Sequence, residues 1–207
     1  MDAIKNRLSI VYHKTFGRFL ECAKLYRIDI NDFKPETRFE KVGIFSFFMP
    51  GENEMPLFKR LYDNNPIKIK IIETRVNSGD YLCFAYRDDS TGHIAYARWL
   101  CKNNFYSDVM RKQLNFSQHE ALTLDSYTHP NYRKLGLHKK MNLFMLQWIK
   151  EQTDIRYVYM VIRCFLPHLA KIPRQIGYRP IEKKIYYKKG SLTNISKLLL
   201  SKLFSRV

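Results

Sequence analysis

The spacing of apolar residues divides the chain into predicted strands and helices. Short runs rich in Val, Ile, Phe and Tyr, bounded by Pro, Gly or Asn, are typical of strands, and they fall at 39–49, 81–87, 93–100, 121–128, 156–165 and 181–187. Apolar residues recur at helical intervals in 3–26, with a bend near Gly17, in 54–62, from Gly136 to about Asp154, and in 167–176, where Pro173 shortens or kinks the helix. Residues 67–75 fit a strand or a helix equally well, and 101–118 are predicted to be irregular or weakly helical.

The order of these elements predicts the fold class. The two runs at 81–87 and 93–100 flank a short polar loop that ends in Gly92, which is typical of a β-hairpin. The whole order is helix, strand, helix, hairpin, strand, helix, strand, helix, strand. It predicts an α/β (α+β) protein with a mixed sheet and helices on its faces.

Length and composition predict one main domain with an extension at each end. The 207 residues, 45% of them hydrophobic, are enough for one sizeable core. We expect an N-terminal amphipathic helix over 1–30 that packs on the domain, the domain itself over 31–188, and a basic amphipathic tail over 189–207. The tail pattern is compatible with docking on the domain, binding a partner, or peripheral contact with an anionic membrane.

The net charge of +17 indicates an anionic partner without identifying it. Nucleic acid, an anionic membrane, an acidic carrier protein and a polyphosphorylated cofactor all remain open, with nucleic acid the less favoured partner. The chain shows neither a signal-peptide pattern nor an apolar run of roughly 18 residues, so we expect a cytoplasmic protein, peripheral to the inner face of the membrane if the tail binds there. Four scattered cysteines without a CxxC pair, Cys22, Cys83, Cys101 and Cys164, predict reduced and mostly buried thiols.

The segment 122–148 joins a predicted strand to a long helix through a basic turn. The strand ends before His129-Pro130-Asn131, and the turn continues through Arg133-Lys134-Leu135-Gly136. The first amides of a helix have no partner within the helix and carry the positive end of its dipole. This turn is therefore predicted to bind an anion such as phosphate.

The residues from Thr128 to Leu137 resemble the central motif of the GNAT superfamily of acyl-CoA-dependent N-acyltransferases. Gln175-Ile176-Gly177-Tyr178 resembles the later turn of that family, before the final strand, and the resemblance covers about residues 38–188. It implies a mostly antiparallel, splayed central sheet with helices on both faces. It also implies acetyl-CoA or another acyl-CoA as co-substrate and no metal. The implied cofactor-binding residues are Ser126, Tyr127, Thr128, Arg133, Lys134, Leu135, Gly136, Leu137 and His138.

The resemblance assigns the parts of coenzyme A to this stretch. Turn amides from Arg133 to His138 would hold the pyrophosphate, and the pantetheine arm would lie along the strand end at Asp125 to Thr128, where this strand splays from the next. Two features depart from the family pattern. His138 replaces a small residue, and Leu166 and Pro173 stand where family members commonly carry an Asn and the Tyr that protonates the leaving thiolate.

Direct acyl transfer to an amine requires a proton acceptor, because an alkyl ammonium has a pKa of about 10.4. Asp125 and Glu120, on or beside the central strand, are the candidate acceptors, although Asp125 also fits a structural hydrogen-bond role. An amide near Ser126 or Tyr127 would stabilise the oxyanion. Tyr127, Tyr159 and His168 are candidate proton donors to the thiolate, with water as an alternative. The candidate catalytic residues are therefore Asp125, Glu120 and Tyr127.

The leading functional hypothesis is an N-acyltransferase, most simply an N-acetyltransferase, acting on a primary amine such as an amino sugar or another small metabolite. The alternatives are a GNAT-like binding module without catalysis, and an acyltransferase that uses an acyl carrier protein as donor or an RNA-linked acceptor. The six histidines show no paired-ligand spacing, so no metal site is predicted.

Overall fold

The structure is a computed structural model that describes residues 20–34, 41–163 and 171–187. The strands in this part of the chain are β1 (Leu20–Asp29), β2 (Lys41–Val42), β3 (Phe45–Phe48), β4 (Tyr81–Asp88), β5 (Ile94–Cys101), β6 (Phe105–Ser107), β7 (Lys112–Leu114), β8 (Glu120–Thr128), β9 (Tyr157–Arg163) and β10 (Arg179–Tyr187). The helices are α1 (Met55–Leu61), α2 (Pro66–Ser78), α3 (Leu137–Gln152) and α4 (Lys171–Ile176). Most predicted elements are confirmed, including the 81–100 hairpin, the strand at 121–128 and the long helix after Gly136.

Eight strands form one sheet in the order β10-β1-β9-β8-β5-β4-β3-β2. All neighbours pair antiparallel except β8 and β9, which are parallel. Parallel neighbours need a crossover, and α3 supplies it. The predicted mixed, mostly antiparallel sheet with helices on its faces is confirmed.

The sheet is covered on both faces. On one face, α3 packs Leu137, Met141 and Met145 into a cluster that includes Phe84 and Tyr96 of the central strands. On the other face, α1 and α2 cover Trp99 and its neighbours, and the small β6–β7 hairpin covers the region around Leu122. The middle strand β5 is buried along its whole length as a result.

The predicted N-terminal helix is wrong where the structure can test it, because residues 20–29 form strand β1. This strand lies between β9 and β10 and pairs with both. Cys22, Ala23, Leu25, Tyr26 and Ile28 are all buried. Because both faces of β1 are covered, its apolar positions lose the alternation of a half-exposed strand and imitate helical spacing. The predicted helical residues before Leu20, and the tail beyond Tyr187, lie outside the described residues.

Three other segments differ from or complete the sequence prediction. Residues 39–49 were expected to form one buried strand, but β2 and β3 form a short hairpin at the sheet edge, turning at Gly43 with φ +63°. The ambiguous segment 67–75 is helical because Asn65 caps the start of α2, its side chain accepting from the Lys68 amide, and Pro66 occupies the first turn. Residues 101–118 contain the hairpin β6–β7 instead of a weak helix.

The prediction of four reduced cysteines is wrong for Cys22, which is disulfide-bonded, whereas Cys83 and Cys101 are free and buried. Sequence spacing did not reveal this bond, because a disulfide depends on distances in the folded chain and not on separation in sequence. In the described part of the chain, every helix is too short or too polar to cross a membrane.

Candidate active site

A cleft opens where β8 and β9 stop pairing. The two parallel strands pair from Glu120 with Tyr157 to Thr123 with Met160, and no pairing continues beyond that point. A cavity of about 250 Å³ lies between the separated strands. Its walls are formed by Leu124, Asp125 and Ser126 of β8, Met160 to Arg163 of β9, and Arg98, Val109, Thr123 and His138. The predicted splay between these two strands is therefore present.

The turn between β8 and α3 has an unusual backbone that leaves amides free at the start of the helix. Lys134 and Gly136 both have positive φ, +68° and +75°, and Gly136 is the N-cap of α3. No side chain caps this helix start, so the first amides of α3 lack partners within the helix. Arg133, Lys134 and Leu135 are exposed around them, and buried Leu137 anchors the helix to the core.

A hydrogen-bond network fixes this turn to the neighbouring hairpin. The Tyr132 hydroxyl donates to Asp88 Oδ2 at 2.8 Å, and the amide and hydroxyl of Ser90 donate to Asp88 Oδ1. Hydrogen bonds, that from the Ser90 hydroxyl first, lower the pKa of Asp88 to about 2. The His129 amide also donates to the carbonyl of Ala95 on β5. The turn that precedes the free amides of α3 is therefore held in one position.

A β-bulge occurs in β8 opposite Arg98. Tyr127 pairs with Ala97 and Leu124 pairs with Trp99, so Asp125 and Ser126 together face a single residue of β5. Asp125 has φ +43°, and its carboxylate forms an ion pair with Arg75 of α2 at 2.5 Å. The side chain of Arg75 is only 10% exposed and that of Asp125 is 49% exposed, so this ion pair fastens the bulge to α2 while leaving the carboxylate accessible.

The structure separates the three candidate catalytic residues. Asp125 lies at the cleft, on the side of α1 and α2. Tyr127 is half-buried on that same side, with its ring 4.8 Å from that of Tyr62. Glu120 lies at the closed end of the strand pair, where it accepts hydrogen bonds from the Tyr159 hydroxyl at 2.5 Å and the Ser117 amide at 2.9 Å. Burial alone would raise the pKa of Glu120, but these hydrogen bonds lower it, which suits an ionised structural acceptor.

His138, which replaces a small residue of the family motif, points inward and lines the cleft. Its Nδ1 is 2.9 Å from the Tyr96 hydroxyl, and its Nε2 is 3.3 Å from the side-chain amide of Asn142. Burial, together with the charge of Arg98, lowers the pKa of His138 to about 4. The imidazole is therefore neutral at pH 7 and is part of a buried polar group of residues.

Several residues that line the cleft or contact its lining were not predicted from the sequence: Arg98 and Thr123 line it, Arg75 contacts Asp125, and Tyr96 and Asn142 contact His138. The guanidinium of Arg98 donates to Thr123 Oγ1 at 2.6 Å, and that hydroxyl donates to the carbonyl of Tyr159. The sequence did contain one signal for Arg98, because an arginine in the centre of the apolar run 94–101 is rarely buried without a reason. The cofactor-binding residues expected from the sequence are mostly close to one another: Ser126 and His138 line the cleft, and Thr128 to Leu137 form the end of β8 and the turn.

Of the remaining sequence-based candidates, Tyr159 lies at the closed end with Glu120, and Leu166 and His168 lie outside the described residues. Pro173 is buried in α4. In the described residues, His, Cys, Asp and Glu side chains do not gather in groups of three or more that could hold a metal ion.

Solved structures with the same arrangement of strands and helices are similar to this chain at low sequence identity. A tandem GNAT protein from the clavulanic acid biosynthesis pathway has a TM-score of 0.61 and 11% identity, with 86% of this chain and 57% of that chain covered. A GCN5-related glucosamine N-acetyltransferase region of a fungal multi-domain beta-N-acetylglucosaminidase has a TM-score of 0.60 and 14% identity, with 87% of this chain and 22% of that chain covered. This chain thus spans less than two thirds of the length of either protein.

A third similar structure is covered by this chain over nearly its whole length. AAC(6′)-Iy, in complex with the bisubstrate analogue CoA-S-monomethyl-acetylneamine, has a TM-score of 0.51 and 12% identity, with 70% of this chain and 97% of that chain covered. No protein-family model matches the sequence, and a sequence search of curated proteins finds no match. The similarity therefore concerns the fold.

Proposed function

Because the chain has the fold of the GNAT superfamily, we propose that it is an N-acyltransferase that moves an acyl group from acyl-CoA to a primary amine. The observation that carries this proposal is the cleft between β8 and β9, which opens beside an uncapped helix start. One end of the cleft would offer free amides to a pyrophosphate, and the cavity between the separated strands would take the acyl end of the donor.

The cofactor would be bound mainly by backbone groups. Amides from Lys134 to His138 would hold the pyrophosphate, since the Arg133 amide, also expected from the sequence, already donates to the carbonyl of Pro130; the side chains of Arg133 and Lys134 would add positive charge beside it. The pantetheine arm would lie along β8 at Ser126 to Thr128, on the strand edge that β9 leaves unpaired. The thioester would then lie near the bulge.

The amine would approach from the side of α1 and α2, where the Asp125 carboxylate is accessible. Asp125 would accept a proton from the ammonium form of the substrate, and Arg75 would hold the carboxylate in place. The free amine attacks the thioester carbonyl, and the amide of Ser126, in the bulge opposite Arg98, would stabilise the oxyanion. The C–N bond forms, the C–S bond breaks, and the thiolate leaves with the electron pair. The attacking nitrogen then loses its second proton, which reaches the thiolate through water, while Asp125 returns the first proton to solvent.

Isothermal titration with coenzyme A tests the cofactor site. Gly136→Asp and Gly136→Asn are a matched pair, because both residues tolerate positive φ and both have space there, the nearest atom to an added Cβ being Lys140 Cε at 4.0 Å. Only the aspartate adds a negative charge next to the pyrophosphate. We expect Gly136→Asp to weaken binding roughly tenfold or more relative to Gly136→Asn. Equal affinities, or no binding of coenzyme A to the unchanged protein, would refute the site.

Release of free thiol from acetyl-CoA in the presence of an amine tests turnover. One similar structure is a glucosamine N-acetyltransferase region, so glucosamine is the first acceptor to use. Asp125→Asn should lower turnover by a factor of about 100 or more with little change in the affinity for coenzyme A, whereas Glu120→Gln, at the closed end of β8, should change turnover little. The opposite order of effects would reassign the proton acceptor.

A further inference from the structure

Arg98 is a buried cation in the centre of the sheet. Every residue of β5 from Ile94 to Cys101 is buried, and Arg98 is 3% exposed. It faces the side of the sheet covered by α3, beside Tyr96 and Thr123, and it lines the cleft. A charged residue in such a position normally has a counter-ion.

The described residues provide no counter-ion. All ion pairs in this part of the chain involve other cations, and Asp125, the acid among the described residues that line the cleft, is paired with Arg75. The Thr123 hydroxyl accepts one hydrogen bond from Arg98, and Arg98 Nε has no hydrogen-bond partner. The sequence of residues 164–170, which follows the other wall of the cleft, contains no Asp or Glu.

Three titratable groups that interact with Arg98 are neutral: Tyr96, Tyr178 and His138. Burial raises the pKa of Tyr96 and raises that of Tyr178 to about 12, and His138 is neutral for the reason given above. Burying an isolated charge costs free energy of folding. For the same reason, removing one partner of a buried ion pair is among the more destabilising changes in a protein. The cavity that Arg98 faces is therefore suited to an occupant that brings a negative charge.

The position of Arg98 indicates which part of the donor that charge belongs to. Pairing of β8 with β9 ends at Thr123, so this residue marks the closed end of the cleft, and Arg98 contacts Thr123 directly. A donor whose pyrophosphate lies at the start of α3 and whose pantetheine follows Ser126 to Thr128 reaches the closed end with its acyl group. The thioester carbonyl is neutral before attack, so it would leave the guanidinium unpaired in the ground state.

We propose that the acyl group ends in a carboxylate, so that the donor is the CoA thioester of a dicarboxylic acid and Arg98 is the ion partner of the distal carboxylate. This proposal rests on the acyltransferase function proposed above. In the reaction the amine nitrogen bonds to the thioester carbonyl carbon and loses its protons to Asp125 and water, and the C–S bond breaks with its electron pair leaving on the sulfur of coenzyme A, which is then protonated. The distal carboxylate remains unchanged throughout. The product is an amide that carries a free carboxylate.

Succinyl-CoA and butyryl-CoA are suitable probes because their acyl chains have the same number of carbons and differ in the terminal group. Isothermal titration of the full chain should show succinyl-CoA binding roughly 10 to 100 times more tightly than butyryl-CoA, the range for a hydrogen bond to a charged group. Arg98→Met should remove this preference and retain butyryl-CoA binding. Arg98→Lys, which keeps the charge without the fork of donors, should retain part of the preference.

The binding results separate the dicarboxylic donor, the role of Arg98 and the acyltransferase function from one another. Equal or tighter binding of butyryl-CoA by the unchanged protein overturns the dicarboxylic donor and leaves the acyltransferase function standing. A preference for succinyl-CoA that persists in Arg98→Met overturns the role of Arg98. Failure of coenzyme A and both thioesters to bind overturns the proposed function itself. If Arg98→Met does not fold, as judged by circular dichroism, the comparison of the two thioesters with the unchanged protein and with Arg98→Lys still decides.

Discussion

Substitution of the two buried arginines by methionine should change stability in opposite directions. Arg98 is 3% exposed and Arg75 is 8% exposed, so both guanidinium groups are largely removed from water. Arg75 has the Asp125 carboxylate at 2.5 Å and lies beside the rings of Tyr81 and Trp99. Arg98 has no ion pair among the described residues and one nitrogen without a partner.

The magnitudes follow from these contacts. Removing a buried charge that has no counter-ion recovers its desolvation penalty, which is several kcal/mol per ion, and the lost hydrogen bond to Thr123 offsets about 1.5–3 kcal/mol of this gain. We expect Arg98→Met to raise the free energy of unfolding by about 1–2 kcal/mol, which corresponds to a Tm increase of about 2–8 °C for a chain of this size. Arg75→Met leaves Asp125 unpaired at the bulge. Because that carboxylate is half exposed, the expected loss is about 1–2 kcal/mol, less than for a fully buried pair.

Differential scanning calorimetry of both variants, in buffer free of coenzyme A and polyvalent anions, measures these changes. Circular dichroism at low temperature shows whether each variant is folded. If Arg98→Met lowers Tm as much as Arg75→Met does, the guanidinium of Arg98 is already compensated in the free protein, and the electrostatic reasoning about the cleft fails.

Three further predictions concern the turn, the histidine and the disulfide. Asp88 does not contact the proposed cofactor site, but Asp88→Asn should weaken coenzyme A binding severalfold because the carboxylate that holds Tyr132 is lost. In the unchanged protein, denaturation at pH 2–5 should show the contribution of Asp88 to the free energy of unfolding. This contribution should be present above the ordinary pKa of 3.8 and lost as pH falls towards 2. His138 has a folded-state pKa near 4, below its ordinary 6.5, so the free energy of unfolding should fall as pH drops from 6.5 to 4, and His138→Gln should reduce this slope in urea titrations. Mass spectrometry of unreduced peptides should find Cys22 in a disulfide and Cys83 alkylated only after unfolding, since burial raises the pKa of its thiol; Cys22→Ser should cost roughly 2–4 kcal/mol in urea denaturation.

The strand-turn-helix unit around the cleft could be predicted because its signals are local. β8 ends before His129, Gly136 precedes the first turn of α3, and apolar residues then recur along one helix face. None of these features depends on distant parts of the chain. The same holds for the 81–100 hairpin.

The parts that sequence reasoning missed depend on distant contacts. β1 was predicted as a helix because both of its faces are buried by elements far away in sequence. Asp125 and Glu120 were both candidate proton acceptors on or beside one strand, with Asp125 the better placed, and the bulge and the end of the β8–β9 pairing place them in different surroundings. Arg98 could be noticed as a charge in an apolar run, yet its lack of a counter-ion is visible only when the neighbouring strands are in place.

The position of β1 also determines when the cleft can form during synthesis. β1 is made before every other described strand, but its partners β9 and β10 are made after all the others. At about 5–20 residues per second, β1 waits on the order of ten seconds for them on the ribosome. Until it inserts, β9 and β10 are free to pair with each other as sequential neighbours, which would be the wrong sheet. Since β9 is one wall of the cleft, we expect the binding site to be the last part of the fold to mature, and its closure to set the folding rate.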